Sequence, residues 1–260
     1  MIRLLVSDVD GTLLPYGERE IAAEYLSLLH QLLESGVQVA IASGRSYYNL
    51  RTLFAADEAR MTFICHDGCL MMRGGRRLYH RPIAPADITA FARSPRSANL
   101  PLLFAAAERL YVLRPTQSLL DTLAESRADA VCSVHSLLDI REPVYKMAVY
   151  RADATPETLD PLPAGLRVCS RGGAWVEYVP RYANKGCALS DLQMRLGYDR
   201  YDTAAIGDAR NDLEMLRGAK YGCAVPDACG ELRQSAAFCL APDAFFREIL
   251  QNNMKQNKKL

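Results

Sequence analysis

The sequence predicts an α/β protein: a doubly wound parallel sheet interrupted by an inserted α+β cap. Three observations predict it. Short apolar runs alternate with helix-period segments from Ile2 to about Cys65, the texture changes after about Pro82, and the first rhythm returns at Lys185. Strands alternating with helices of this length call for right-handed crossovers and hence parallel pairing.

The elements follow in order. Ile2 to Val6 is an apolar run, and Ile21, Tyr25, Leu28, Leu29, Leu32 and Leu33 then recur at helical spacing until Gly36 stops the helix. Val37 to Ala42 reads as a second strand, Tyr47 to Ala56 as a helix and Phe63 to Cys65 as a third strand. Between about 82 and 184, prolines and shorter alternating segments appear, with strands expected at Arg109 to Leu113, Lys146 to Arg151 and Ala174 to Val179. The sheet resumes with a helix from Gly186 to Leu196, a strand from Thr203 to Ile206, a helix through Leu213 and Leu216, and a strand from Tyr221 to Val225. The domains are therefore 1–81 and 185–260 for the sheet and 82–184 for the insert. The tail from Asn252 to Leu260, with three lysines and few apolar residues, reads as a frayed terminus.

Composition narrows the function classes. Half of the 260 residues are apolar and 23% are charged, which excludes disorder. Thirty-one basic against thirty acidic side chains leave a charge of +1, so no global field draws the chain to nucleic acid or an anionic membrane. No apolar run reaches membrane-spanning length, and Asp8 and Asp10 stand where a signal peptide would need small residues. The expected location is the cytoplasm and the expected partner a small molecule. The eight cysteines lack metal-site spacing and read as reduced, mostly core-filling thiols.

Four signals fall at strand ends, where an open α/β sheet binds ligands. Asp8-Val9-Asp10-Gly11-Thr12 follows the first strand, and alternation aims both acids to one side. A calcium loop would need a third ligand before its glycine, and a plain turn does not explain two acids after a buried strand. Ser43-Gly44-Arg45 closes the second strand with a hydroxyl, free N–H groups and a guanidinium, a reasonable phosphate seat but equally a common loop opening. Lys185 opens a helix, a position usually solvated, and Gly207-Asp208-Ala209-Arg210-Asn211-Asp212 follows another strand. Helix-start acids favoured by the dipole would explain one of Asp208 and Asp212 but not the whole set.

At one edge of the sheet Asp8, Asp10, Asp208 and Asp212 would repel by roughly 4 kcal/mol per pair at ~4 Å and an effective dielectric near 20, so a cation must hold them. An all-oxygen ligand set favours a hard ion, and Mg²⁺ characteristically keeps positions for water and phosphate. Lys185 adds a compact positive charge for the same anion. A carboxylate nucleophile, a second acid, Mg²⁺, a hydroxyl and a lysine together describe phosphoryl transfer through an aspartyl-phosphate.

These motifs, in this order, resemble the haloacid dehalogenase-like superfamily and specifically its Cof-type phosphatases, whose Rossmann-like core carries an α+β cap between the second and third motifs. The resemblance implies that Asp8 attacks phosphorus, while Asp10 protonates the leaving alcohol and then activates water. It implies Mg²⁺ held by Asp8, the Asp10 carbonyl and Asp208, with Asp212 supporting the metal shell. Ser43, Gly44, Lys185 and Asn211 would bind phosphate, and Arg45 is a candidate substrate contact. Two departures stand out: His66-Asp67-Gly68 replaces an Asn-Gly pair after the third strand, and Ala224-Val225-Pro226-Asp227-Ala228 replaces a Gly-Asn turn.

The expectation is an Mg²⁺-dependent phosphatase of small phosphomonoesters, with sugar phosphates leading by analogy. A phosphomutase and a non-catalytic phospho-ligand binder are the alternatives, and the second has no need for both Asp8 and Asp10. The cap is expected to close during attack, with hinges near 82 and 184. Trp175, Tyr178, Arg114 and Tyr111 are candidates for its inner face, although Trp175 and Tyr178 must point to opposite sides of their strand.

Overall fold

Strand β1 (Leu4–Ser7) is wholly buried, as an apolar run at the centre of a parallel sheet must be. The computed structural model describes residues 1–125, 130–154 and 156–257. After β1 come α1 (Ala23–Glu34), β2 (Gln38–Ala42), α2 (Tyr47–Leu53), β3 (Thr62–Cys65), β4 (Leu70–Arg73) and β5 (Arg76–His80). The inserted stretch supplies α3 (Pro85–Arg93), β6 (Leu102–Ala105), β7 (Arg109–Leu113), α4 (Gln117–Glu125), β8 (Ala130–Val134), β9 (Lys146–Tyr150), β10 (Leu166–Gly172) and β11 (Trp175–Pro180). The chain returns through α5 (Lys185–Leu196), β12 (Thr203–Gly207), α6 (Leu213–Arg217), β13 (Tyr221–Ala224), α7 (Gly230–Ser235), β14 (Phe238–Cys239) and α8 (Pro242–Asn257).

By their contacts these elements fall into two compact units, one holding Met1–Gly44, Leu50–Leu78 and the chain from Asn184, the other Arg45–Asn49 and Tyr79–Ala183. The first is built on an eight-stranded sheet of order β14-β13-β12-β1-β2-β3-β4-β5. From β14 to β3 every pairing is parallel. Because β1 sends the chain to β2 on one side and receives β12 on the other, the strand order reverses beside it, which opens a crevice at its carboxyl end. Helix α1 packs against α8, and α5 against α6.

Two features depart from the sequence reading. The chain reverses after β3 so that β4 pairs antiparallel with it, Cys65 opposite Leu70. The reversal is a left-handed turn, with φ of 50° at His66, 56° at Asp67 and 95° at Gly68. The tail is also more ordered than its composition suggests, for α8 runs to Asn257. Asn253, 5% exposed, explains it: its amide oxygen accepts from Ile2 N–H at 3.0 Å and its amide nitrogen donates to Ile2 C=O at 2.8 Å. Lys258, Lys259 and Leu260 lie outside the described residues.

The second unit carries a six-stranded sheet of order β10-β11-β9-β6-β7-β8, antiparallel except for β7 with β8. Helix α3 places Phe91 among Phe104, Met147 and Tyr178 on one face, whereas α4 sets Leu119 and Leu123 against Leu103, Val112 and Ala148 on the other. Tyr178 and Trp175 lie on these opposite faces, as alternation along β11 requires. Tyr178 is fully buried, its hydroxyl accepting from Leu159 N–H at 3.1 Å. Tyr111 donates to Glu142 at 2.7 Å, and Arg114 donates to the carbonyls of Leu100 and Ser97, so these three side chains serve the unit's own architecture.

Candidate active site

The crevice beside β1 lies within the first unit, and each group there is placed by the end of a strand or the start of a helix. Asp8, 3% exposed, anchors its N–H on Ile206 C=O at 3.0 Å as the chain leaves β1. The loop then folds on itself, Leu14 N–H reaching Val9 C=O at 2.8 Å and Gly11 N–H reaching Leu14 C=O at 2.8 Å. Gly11 has φ of 80°, and a Cβ there would overlap the Asp208 carboxylate. Only glycine lets this loop turn so close to the acid from β12.

Lys185, 1% exposed, is the hub: its Nζ donates to Asp8 Oδ1 and to Asp212 Oδ1, both at 2.6 Å. Asn184 caps α5 by accepting from Cys187 N–H at 2.7 Å, which fixes the helix start that presents the lysine. The solvated alternative for this lysine therefore does not describe the fold. Asp212, fully buried, uses Oδ2 to accept from the N–H groups of Asp208 and Ala209 at 3.1 Å each. Tyr16, exposed itself, donates its hydroxyl to Asp208 Oδ2 at 2.9 Å.

The other sequence-derived residues divide. Asp10 is half-buried, and its Oδ2 accepts from Ser43 Oγ at 3.5 Å. Ser43 is pinned between strands, its N–H on Ile64 C=O at 2.9 Å and its C=O accepting Asp67 N–H at 3.0 Å, and half-buried Gly44 follows it. Asn211 is exposed and donates its amide to Asp67 Oδ1 at 3.1 Å. Arg45 groups with the second unit. Two residues the motifs did not assign thus enter the site. Asp67 was visible only as a departure from the Asn-Gly pattern, and Tyr16 carried no signal, since its partner lies 192 positions away.

Charge is unevenly balanced here. Burial first, and the neighbouring Asp212 second, push the Asp8 carboxyl well above the usual range, against the opposing pull of Lys185. Asp208 is likewise raised, by burial and by Asp212. Burial alone would lower Lys185, but Asp212, Asp8 and Asp67 outweigh it and hold the ammonium charged. Asp8, Asp208 and Asp212 each bring an oxygen within 4.8 Å of the others. Asp208 Oδ1 is buried without a hydrogen-bond partner, the one such side-chain atom among the described residues. An orphaned carboxylate oxygen beside two more acids fits a hard divalent cation, and the absence of nitrogen and sulfur in the set disfavours a softer metal. The Asp10 carboxylate is not part of this cluster, having turned toward Ser43.

Comparison with known proteins identifies the family. The family profile of haloacid dehalogenase-like hydrolases matches residues 5–244. An HMP-PP phosphatase of Yersinia enterocolitica is 27% identical over 255 residues, covering 90% of this chain and 89% of the relative, and one of Yersinia pestis is 28% identical over 258 residues with the same coverage. Among solved structures, a haloacid dehalogenase-like hydrolase from Bacteroides thetaiotaomicron superposes with a TM-score of 0.83 at 23% identity, over 96% of this chain and 99% of the other. The subclass IIB sugar phosphatase BT4131 superposes with a TM-score of 0.77 at 18% identity, over 97% and 99% of the two chains. With the match running from β1 to α8 and the acids, hydroxyl and lysine placed in one crevice, the chain belongs to the haloacid dehalogenase-like hydrolase family.

Proposed function

We propose that this hydrolase is an Mg²⁺-dependent phosphatase of small phosphomonoesters that works through an aspartyl-phosphate on Asp8. The observation that carries the reading is the buried ammonium of Lys185 held between Asp8 and Asp212, next to the unsatisfied oxygen of Asp208. Mg²⁺ would be held by Asp8 and Asp208, with the Asp10 carbonyl and with Asp212 in support, and when bound it supplies charge neutralisation for the phosphoryl oxygens.

The protein's own groups do the rest. Lys185, with one N–H on Asp8 Oδ1, orients that carboxylate for attack on phosphorus and keeps its positive charge beside the phosphoryl group. Ser43 Oγ and the N–H groups at Gly44 bind phosphoryl oxygens, and Asn211, positioned by Asp67, joins them. The Asp10 carboxyl stands outside the carboxylate cluster, next to the Ser43 hydroxyl, and takes the proton-transfer role. It protonates the leaving alcohol as the Asp8–phosphorus bond forms, then removes a proton from the water that cleaves that bond.

Relatives named as sugar phosphatases and HMP-PP phosphatases set the first substrates to try. The test is phosphate release from sugar phosphates, HMP-PP and nucleotides, with a chelator and Asp8→Asn as controls. Release that stops with either control supports the reading; release that survives Asp8→Asn removes the covalent step. Conversion between sugar phosphates without phosphate release would favour a phosphomutase instead.

A further inference from the structure

The second unit has a cavity of its own. On the sheet face that carries α4 lies a cavity of about 530 Å³, and Leu103, Ala105, Lys146, Ala148, Trp175 and Glu177 line it. Alternation along β6, β9 and β11 aims these six to one side. Most of the wall is apolar. Its charged part is one ion pair beside Ser170: Lys146, 9% exposed, donates Nζ to Glu177 Oε2 at 3.5 Å. A lysine and a glutamate on the apolar face of a sheet add little to stability, because desolvating both charges offsets most of their attraction. They set a donor beside an acceptor at the edge of an apolar slot. The slot also has a flat wall, for the Trp175 indole is propped by buried Tyr150 with ring centroids 4.7 Å apart.

We infer that this cavity binds a flat heteroaromatic group whose edge carries a hydrogen-bond donor next to an acceptor. The ring stacks on Trp175, its amino group donates to Glu177, and its ring nitrogen or carbonyl accepts from Lys146. A saturated sugar ring would reach the same polar pair but set only puckered C–H groups against the indole face, without ring stacking. The inference stands independently of the phosphatase reading, because every residue it uses belongs to the inserted unit.

Trp175 is the only tryptophan in the chain, so its emission reports this cavity alone. Full-length protein is titrated with cytosine and with adenine, and separately with ribose and glucose, under selective indole excitation. Saturable quenching by the two bases and none by the sugars is expected. Glu177→Gln, half-exposed and nearly isosteric, should weaken base binding at least tenfold while circular dichroism stays unchanged. Trp175→Phe, followed by calorimetry because its fluorescence is lost, should weaken it as well. Absence of saturable quenching, equal quenching by sugars, or unchanged affinity in Glu177→Gln overturns the inference. Asp8→Asn separates the two readings: it should end phosphate release and leave base quenching intact, and wild-type protein that releases phosphate without quenching would refute only the cavity.

Discussion

Lys185 is surrounded by more negative charge than it can neutralise, and this makes it the side chain whose loss reads most directly. Lys185→Met leaves Asp8 and Asp212 facing each other in a buried site. Stability should fall by about 3–5 kcal/mol, the cost of breaking a buried pair from one side, and kcat by about 10²–10³-fold. Urea unfolding and phosphate release check the two losses separately. Cys223 tests burial without catalysis. Burial pushes its thiol up to about 12, against the smaller opposing pull of a backbone hydrogen bond with Leu240. Since the folded pKa lies above the unfolded value of about 8.5, the stability it contributes is complete below that pH and is lost as pH rises toward the folded value. At pH 9, peptide mapping after iodoacetamide should find exposed Cys187, Cys229 and Cys239 alkylated and Cys223 intact. At this scale the acids, the hydroxyl and the lysine were legible because each sits at a strand end beside a glycine or a helix start. Tyr16 was not, because a tyrosine on a loop announces nothing until Asp208 is folded against it.

Elements were legible where periodicity was strong and obscure where partners were distant. The apolar runs of β1 and β2 and the Leu-rich face of α1 state their structure locally. The antiparallel return of β4 depends on three successive left-handed residues, two of them not glycine, a conformation that costs of order 1–3 kcal/mol per strained residue and is compensated by the contacts of Asp67 with Ser43 and Asn211. Beyond its packing on α1, helix α8 is tied to Ile2 by one asparagine that a reading of composition passes over. Asn253→Ala should strip partners from both the N–H and the C=O of buried Ile2 and cost about 1–3 kcal/mol. Urea unfolding should register the loss while kcat stays at the wild-type value, because Ile2 and Asn253 take no part in the crevice.

Taken whole, the molecule puts its charge to local use. With a net charge of +1 the chain offers no field to guide an anion from afar, yet three carboxylates are gathered within a few ångströms. A divalent ion that binds only the folded crevice must stabilise it by mass action, by about 2.7 kcal/mol at a hundredfold excess over its Kd. Calorimetry of the full chain should show a melting transition that rises with Mg²⁺, and Asp208→Asn should remove most of the rise.

Central strand β1 also has a history during synthesis. Its neighbour β2 follows within a few dozen residues, but its other neighbour, β12, does not begin until Thr203. At about 5–20 residues per second, roughly 10–40 s separate the emergence of β1 from that of β12. Throughout that interval a largely apolar strand presents a bare edge, which makes the nascent chain a natural client for a chaperone that shields unpaired strands.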